Sequence, residues 1–248
     1  MNDNLLDGIQ QEDKQKIFEC LSQAIGEDRQ EADTVLELKT HVSGPFLNWD
    51  LIYRNLINSF SESRLLYSAN KRGMWVVLLL YDKSTNLILS FMQDKRFRTI
   101  KKRKISQQPK YIRSLISLNS ELQSNIKQQH LFDIEESEDE TQLRCVLDEL
   151  CSGFNGCMDA SVTHHALIVF SNKYGRMSSL KAYVLDHDLD VVCEQDWFDS
   201  VKPIISNERY TAEETTISQA HSLKPKSLER LRKKGLVSLK EKKSEKQA

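Results

Sequence analysis

The sequence is poor in the residues that interrupt secondary structure and that form nucleotide-binding loops. Its 248 residues include only 8 glycines and 4 prolines. So small a share of both argues against a low-complexity or linker-rich chain. The sequence also has no glycine-rich phosphate loop, nucleophile elbow or histidine-pair metal motif. It therefore argues against the common enzyme classes more firmly than it argues for any one role, and we expect a non-enzymatic protein.

Long hydrophobic stretches are also missing. The longest apolar run, from Met74 to Tyr81, has eight residues, whereas a helix that spans a bilayer needs roughly 20. The first residues, Met1 to Asn4, lack the basic and apolar regions of a signal peptide. We therefore expect a cytoplasmic protein with no membrane partner.

Cysteines are few and follow no ligand spacing. There are five, an odd number: Cys20, Cys145, Cys151, Cys157 and Cys193. Cys145, Cys151 and Cys157 lie shortly before His164 and His165, but no two have the close spacing of a zinc knuckle. We therefore expect free thiols, and neither a metal ion nor another cofactor.

Hydrophobic periodicity predicts an alternation of helices and strands. Helical spacing occurs at 12–25, 49–60, 111–126 and 141–150. Strand patterns occur at 34–42, 64–68, 74–81, 87–92, 166–171, 177–185 and 188–194. The strand at 74–81 is apolar at every position, so it belongs in the middle of a sheet that is covered on both sides.

These patterns predict an α+β domain over residues 1–207. We expect a single, largely antiparallel sheet of five or six strands, with helices packed mainly on one face. Residues 208–248 form a polar and basic tail, which we expect to be disordered alone and to offer a contact to a protein partner. Its last part, 224–248, contains ten Lys or Arg against three Glu.

Two stretches of the chain carry a family resemblance. One is W-V-V-L-L-L-Y-D-K-S-T-N-L-I-L-S-F-M-Q-D-K-R-F, from Trp75 to Phe97, and the other runs from H-A-L-I-V-F-S at His165 to V-V-C-E-Q-D-W at Trp197. Together they resemble an uncharacterised bacterial family, mainly from Firmicutes, that is known only as a domain of unknown function. The resemblance implies a bacterial cytoplasmic protein and is compatible with a mobile-element, phage-defence or toxin–antitoxin setting. It supplies no activity and no catalytic residue.

The strongest functional signal is a basic segment in the middle of the chain. Residues 95–113 contain nine Lys or Arg and no acidic residue. Clustered cations neutralise phosphates and release counterions, which supplies most of the non-specific affinity for nucleic acid. Aromatic residues among them can stack on unpaired bases. The predicted nucleic-acid-binding residues are Lys95, Arg96, Phe97, Arg98, Lys101, Lys102, Arg103 and Lys104. A solvated loop, balanced by the six carboxylates of 133–140, is the structural alternative.

Two other functions stay open. Glu37-Leu38-Lys39, if on a strand, has the E-x-K form of metal-dependent nucleases, with Asp28 or Asp33 as the second carboxylate. The other function is that of an interaction or scaffold protein that assembles through its acidic segment and basic tail.

Two further clusters have simpler explanations. His164-His165 at a strand start would place one ring inward and one outward, which favours a structural histidine over a catalytic base. The acidic residues from Asp186 to Asp196 lack the glycine and distal Glu of a calcium-binding loop, which favours a turn between strands.

Overall fold

The computed structural model describes residues 5–37, 42–61, 63–73, 75–122, 140–154, 156–159 and 163–201. All of them fall within one compact unit, Met1–Lys202. The predicted tail, the acidic segment at 133–139 and Lys39 lie outside the described residues. None of the described helices is both long enough and apolar enough to cross a membrane.

A six-stranded sheet organises the described part of the chain. The strands are β1 (Leu65–Arg72), β2 (Trp75–Asp82), β3 (Leu87–Gln93), β4 (His164–Lys173), β5 (Arg176–Leu185) and β6 (Val191–Asp196). They lie side by side in sequence order. All neighbours are antiparallel except β3 and β4, which run parallel. The α+β class and a largely antiparallel sheet of six strands are therefore confirmed.

Six α-helices accompany the sheet within the described ranges. They are α1 (Gln11–Ile25), α2 (Glu27–Leu36), α3 (Gly44–Phe60), α4 (Asp94–Lys101), α5 (Lys110–Ile116) and α6 (Glu140–Cys151). The predicted helix at 111–126 is shorter than expected, because a 3₁₀ turn, Ser117–Asn119, follows α5 directly. Helices α4 to α6 lie in the connection between β3 and β4, since parallel neighbours require a long crossover.

Helices cover both faces of the sheet. Helices α1 and α3 pack on one face through residues such as Ile17 and Leu56, against Leu78 and Leu80 of β2. The other face carries α5 and α6 over β2 and β3, and α4 over β3 to β5. The expectation of helices mainly on one face is therefore corrected. The physical reason is that β2 is apolar on both sides, so each side needs its own cover.

The predicted strand at 34–42 is wrong where the structure describes it. Helix α2 continues through Val35 and Leu36, and both side chains are exposed. Arg29 fixes this helix, since it pairs with Asp33 one turn later (3.0 Å) and donates to the carbonyl oxygen of Gly44 at the start of α3 (2.8 Å). The alternating pattern at 34–37 thus reflects an exposed helix end.

One end of the sheet gathers several connections. Because β2 and β3 are antiparallel, the start of β2 lies at the same end as the end of β3. Strand β4 runs parallel to β3 and finishes at this end too. This end, called the hairpin end below, therefore holds the β1–β2 turn, the start of α4 and the β4–β5 turn.

Candidate functional site

The predicted basic segment forms helix α4 and the turn that follows it. Helix α4 begins directly after β3, and its Phe97 and Ile100, three positions apart, are buried against the sheet. The remaining positions carry the charge. We call the following side chains the basic ridge: Lys95, Arg96, Arg98, Lys101, Lys102, Arg103 and Lys104. All seven are exposed.

Few carboxylates compensate the basic ridge. Arg98 pairs with Asp94 in its own helix (2.9 Å), and Lys101 Nζ lies 3.7 Å from a carboxylate oxygen of Asp190. Both pairs are solvent-exposed, so each contributes at most about 1 kcal/mol. The other five cations form no ion pair with any residue that the structure describes. The ridge is therefore a surface of largely unneutralised positive charge.

Phe97 does not belong to that surface. Only 8% of its area is exposed, and its ring stacks on Tyr183 of β5 with centroids 5.4 Å apart. Tyr111 is half-buried and packs against both hydrophobic clusters on the α4 side of the sheet, the one under α5 and α6 and the one under α4. Phe97 as a base-stacking residue is therefore a wrong prediction, because the spacing that places the cations outward places Phe97 inward.

The E-x-K arrangement is not on a strand. Glu37 follows the last turn of α2 in a left-handed conformation (φ 44°), and Lys39 lies outside the described residues. Asp28, a proposed partner, instead accepts hydrogen bonds from Arg54 (2.8 Å) and Asn55 (2.7 Å). The strand geometry on which the nuclease hypothesis depended is therefore absent at Glu37.

His165 has a structural role. Its Nε2 lies 2.8 Å from the Ser90 hydroxyl, while its backbone N–H and carbonyl bond to the Asn119 amide at 2.8 and 2.9 Å. Asn119 also donates to the carbonyl oxygen of Leu185 (2.8 Å), so it links the start of β4 to the end of β5. Burial lowers the pKa of the His165 imidazole to about 3. A base that weak and that enclosed suits packing rather than proton transfer.

The cysteines and the acidic turn show no metal geometry. Cys151 is buried, and burial raises the pKa of its thiol to about 12, whereas Cys145 and Cys157 are exposed. Asp186 accepts hydrogen bonds from the backbone N–H groups of Asp188 (3.0 Å) and Asp190 (2.8 Å). It thereby shapes the β5–β6 turn, as the sequence indicated. Within the described residues, no three His, Cys, Asp or Glu side chains converge to hold a metal ion.

An exposed aromatic pair lies at the hairpin end, and sequence reasoning missed it. Phe46 near the start of α3 stacks on Trp75 at the start of β2, with centroids 4.6 Å apart and rings inclined by 13°. Phe46 is 39% and Trp75 47% exposed. The available signal was a tryptophan two residues after Gly73, whose positive φ of 64° makes the β1–β2 turn. The apolar run that follows hid it, because Trp75 was counted as core.

A groove of about 630 Å³ runs along β1, which is an edge strand. Its lining includes Ser68, Asn70, Lys83 and Cys157. Ser68 is held by the carbonyl oxygen of Leu150 at 2.7 Å, so it is no free nucleophile. The described lining residues include hydroxyl, amide, amine and thiol groups but no carboxylate and no imidazole.

Comparison with known protein families identifies the family of this chain. A family model described as a family of unknown function, DUF5986, matches residues 6–248. The chain belongs to this family. The match confirms the resemblance seen in the two stretches from Trp75 and from His165. A search of curated proteins and of solved structures gave no match.

Membership in DUF5986 assigns no role to any residue. A bacterial source and a Firmicutes origin stay predictions. For this DUF5986 chain the functional argument therefore rests on two features of its surface, the basic ridge and the aromatic pair.

Proposed function

We propose that this protein is a non-enzymatic nucleic-acid-binding or nucleoprotein-associated module whose phosphate contacts are made by the basic ridge. The observation that carries the proposal is the charge of α4 and its following turn. Seven exposed cations lie within ten residues, and only two of them have a carboxylate neighbour among the described residues. Such a surface attracts polyanions, and its counterions are released when phosphates replace them.

The architecture supports a rigid display of these charges. Phe97 and Ile100 anchor α4 in the core, so its four ridge cations project from the exposed sides of the helix, and Lys102 to Lys104 continue the charge in the following turn. Arg side chains contribute planar, two-pronged donors to phosphate, whereas Lys acts as a point charge. The ridge contains both types, with Arg96, Arg98 and Arg103 among lysines.

The non-enzymatic part of the proposal rests on the groups that a catalytic site would need, an accessible nucleophile and a base beside it. The buried imidazole of His165 is held by Ser90, and the groove along β1 has no carboxylate and no imidazole among its described lining residues. Glu37 ends a helix rather than lying on a strand. Ser90 and His165 do form a pair, but both are buried, so none of these three places presents a solvent-accessible nucleophile beside an imidazole or carboxylate base among the described residues.

An interaction with another protein is the second candidate. Val35 and Leu36 at the end of α2 and Val42 before α3 are 72%, 54% and 84% exposed. Exposed aliphatic side chains, here three within eight residues of the sequence, are compatible with a protein contact. This candidate predicts a stable complex with a protein and no salt-sensitive affinity for DNA or RNA.

Fluorescence anisotropy with labelled single-stranded RNA, single-stranded DNA and duplex DNA tests the proposal. The key variant carries Lys102→Gln, Arg103→Gln and Lys104→Gln. Its matched control carries Lys16→Gln, Lys83→Gln and Arg144→Gln, which remove three exposed charges outside the ridge. A third variant ends at Ser222 and so lacks most of the basic tail.

We expect the ridge variant to lose roughly 10-fold or more in affinity at 0.1 M salt, since each lost phosphate contact removes a counterion-release term. The control variant should bind like the wild type. Loss of binding on truncation alone would move the site to the tail. Wild-type protein that binds none of the three nucleic acids near physiological salt would refute the proposal.

A further inference from the structure

The aromatic pair at the hairpin end is unusual in its exposure. Aromatic rings normally gain their stability by burial, and a stacked pair with large exposed areas is better placed to contact a ligand than to fill a core. Phe46 and Trp75 come from elements 29 residues apart in sequence, helix α3 and strand β2, so their stacking is a tertiary contact. One flank of the Trp75 indole is occupied by Phe46, and nearly half of the residue is open to solvent.

The pair rests on a rigid support. The Tyr53 hydroxyl donates to the backbone carbonyl of Val76, the residue after Trp75, at 3.1 Å. Trp49 lies beside Tyr53 with centroids 5.3 Å apart and meets Phe170 of β4 edge-on at 5.6 Å. Phe170 itself is fully buried. The hydrogen bond to Val76 therefore links the strand that carries Trp75 to a series of aromatic contacts that ends in the core.

Cations lie at the same end of the sheet. Because β2 and β3 are antiparallel, Trp75 starts its strand at the end where β3 gives way to Lys95 and Arg96 of the basic ridge. Lys71 pairs directly with Val76 across the β1–β2 hairpin. Lys173 and Tyr174, at the β4–β5 turn, belong to this end too, and Lys173 lies 5.4 Å from the Tyr174 ring. The topology thus places the aromatic pair and these cations at the same end of the sheet, with α3 and the basic ridge on opposite faces, so that a bound strand would cross this end from the pair to the ridge.

This combination matches the chemistry of a single strand of nucleic acid. Unpaired bases offer free faces to aromatic side chains, and the backbone that joins them needs cations at regular intervals. In a duplex the base faces are already covered by their neighbours. An aromatic pair on the protein therefore adds affinity for single strands and little for duplexes.

We infer that the Phe46–Trp75 pair is a base-stacking platform, and that the protein prefers single-stranded RNA or DNA whose phosphates run along the start of the basic ridge. The inference rests on the proposed function and adds the class of nucleic acid to it. It also replaces Phe97, the aromatic residue that the sequence suggested for this task.

The test compares three probes of equal length: a single-stranded oligonucleotide, the same strand as a duplex, and an abasic strand that keeps the sugar-phosphate chain but has no bases. The protein variants are Trp75→Ala, Trp75→Phe and Trp75→Leu, the last of which keeps an apolar side chain without an aromatic face. Tyr67→Ala removes another partly exposed aromatic residue, in β1, and is the matched control. Thermal unfolding of each variant shows whether it is folded.

We expect Trp75→Ala and Trp75→Leu to weaken binding of the base-containing single strand by roughly 5- to 100-fold, the range for losing one or two base–aromatic stacks. Trp75→Phe should restore most of that loss, and Tyr67→Ala should bind like the wild type. Affinity for the duplex and for the abasic strand should stay within about 2-fold, because those contacts use phosphate alone. Should Trp75→Ala fail to fold, the Leu and Phe variants still separate aromatic stacking from packing.

Two other outcomes would overturn the inference in different ways. If the Trp75 variants bind the single strand like the wild type while the ridge variant does not, the platform is refuted and the proposed function stands. If wild-type protein binds none of the probes, both are refuted, and the aromatic pair is better explained as a protein contact.

Discussion

The buried imidazole of His165 makes a sharp prediction about stability and pH. In the folded state burial lowers its pKa to about 3, whereas an unfolded chain returns it to about 6.5. Nε2 already lies 2.8 Å from Ser90 Oγ, and Nδ1 has no hydrogen-bond partner in the described structure. A proton on the ring would therefore leave a charged N–H group buried and unsatisfied.

The sign and size of the effect follow from proton linkage. Between the two pKa values the unfolded state binds more protons than the folded state, so the free energy of unfolding rises with pH. The contribution of His165 is fully present above about pH 6.5 and is lost progressively as the pH falls toward 3. With about 1.4 kcal/mol per pKa unit, the loss from this one residue is about 2 kcal/mol at pH 5 relative to pH 7.5.

Urea unfolding of wild type and His165→Gln at intervals from pH 5 to 7.5 measures this term. The Gln amide reaches toward Ser90 but does not titrate, so other ionisable groups cancel in the difference between the two proteins. We expect the wild type to lose about 2 kcal/mol more than the variant over this interval. Parallel pH profiles would refute the reasoning, because they would mean that His165 gains and loses its proton equally well in both states.

Two further predictions concern the core. Arg64 pairs with two buried carboxylates, Asp13 at 2.7 Å and Asp82 at 3.1 Å. Arg64→Met leaves both without this partner and should lower the free energy of unfolding by about 3 kcal/mol. A urea unfolding midpoint close to that of the wild type would contradict this prediction. Phe97→Ala should lower the free energy of unfolding by about 3 kcal/mol, because it leaves a cavity in the core. The exposed control, Lys102→Ala, should change it by less than about 0.5 kcal/mol. Thermal unfolding compares the two variants with the wild type, and equal losses in both, or no loss in either, would contradict the assignment of Phe97 to the core.

Most of the fold could be predicted from the sequence because the periodicities are clear. The unbroken apolar run of β2 indicated a strand covered on both faces, although β2 lies next to the edge strand rather than at the centre of the sheet, and Gly26 marked the end of α1. The sequence could not show which face of the sheet each helix covers. An apolar stripe on α4 or α5 indicates that the helix packs on the sheet, but not on which face. The end of α2 was mistaken for a strand because apolar and polar residues alternate over 34–42, whereas the bonds of Arg29 to Asp33 and Gly44 favour the helix.

The candidate site likewise includes features that are visible in the local sequence and features that depend on tertiary contacts. The cations of the basic ridge were found because clustered charge is a local property of the sequence. Phe97 was assigned to the surface because a short helix among charges gives little sign of which side is buried. The Phe46–Trp75 pair could not be predicted, because it depends on a contact between α3 and β2 that only the fold creates.

The central claim is that the basic ridge binds nucleic-acid phosphates, and the salt dependence of binding tests it most directly. Anisotropy titrations of a labelled single strand from 50 to 300 mM salt give the slope of log affinity against log salt concentration for the wild type, for the triple ridge variant and for the triple control variant. We predict that the ridge variant has a slope shallower by roughly 2, about 0.7 for each of three lost contacts, and that the control runs parallel to the wild type. Equal slopes in all three proteins, or no binding by the wild type, would contradict the claim.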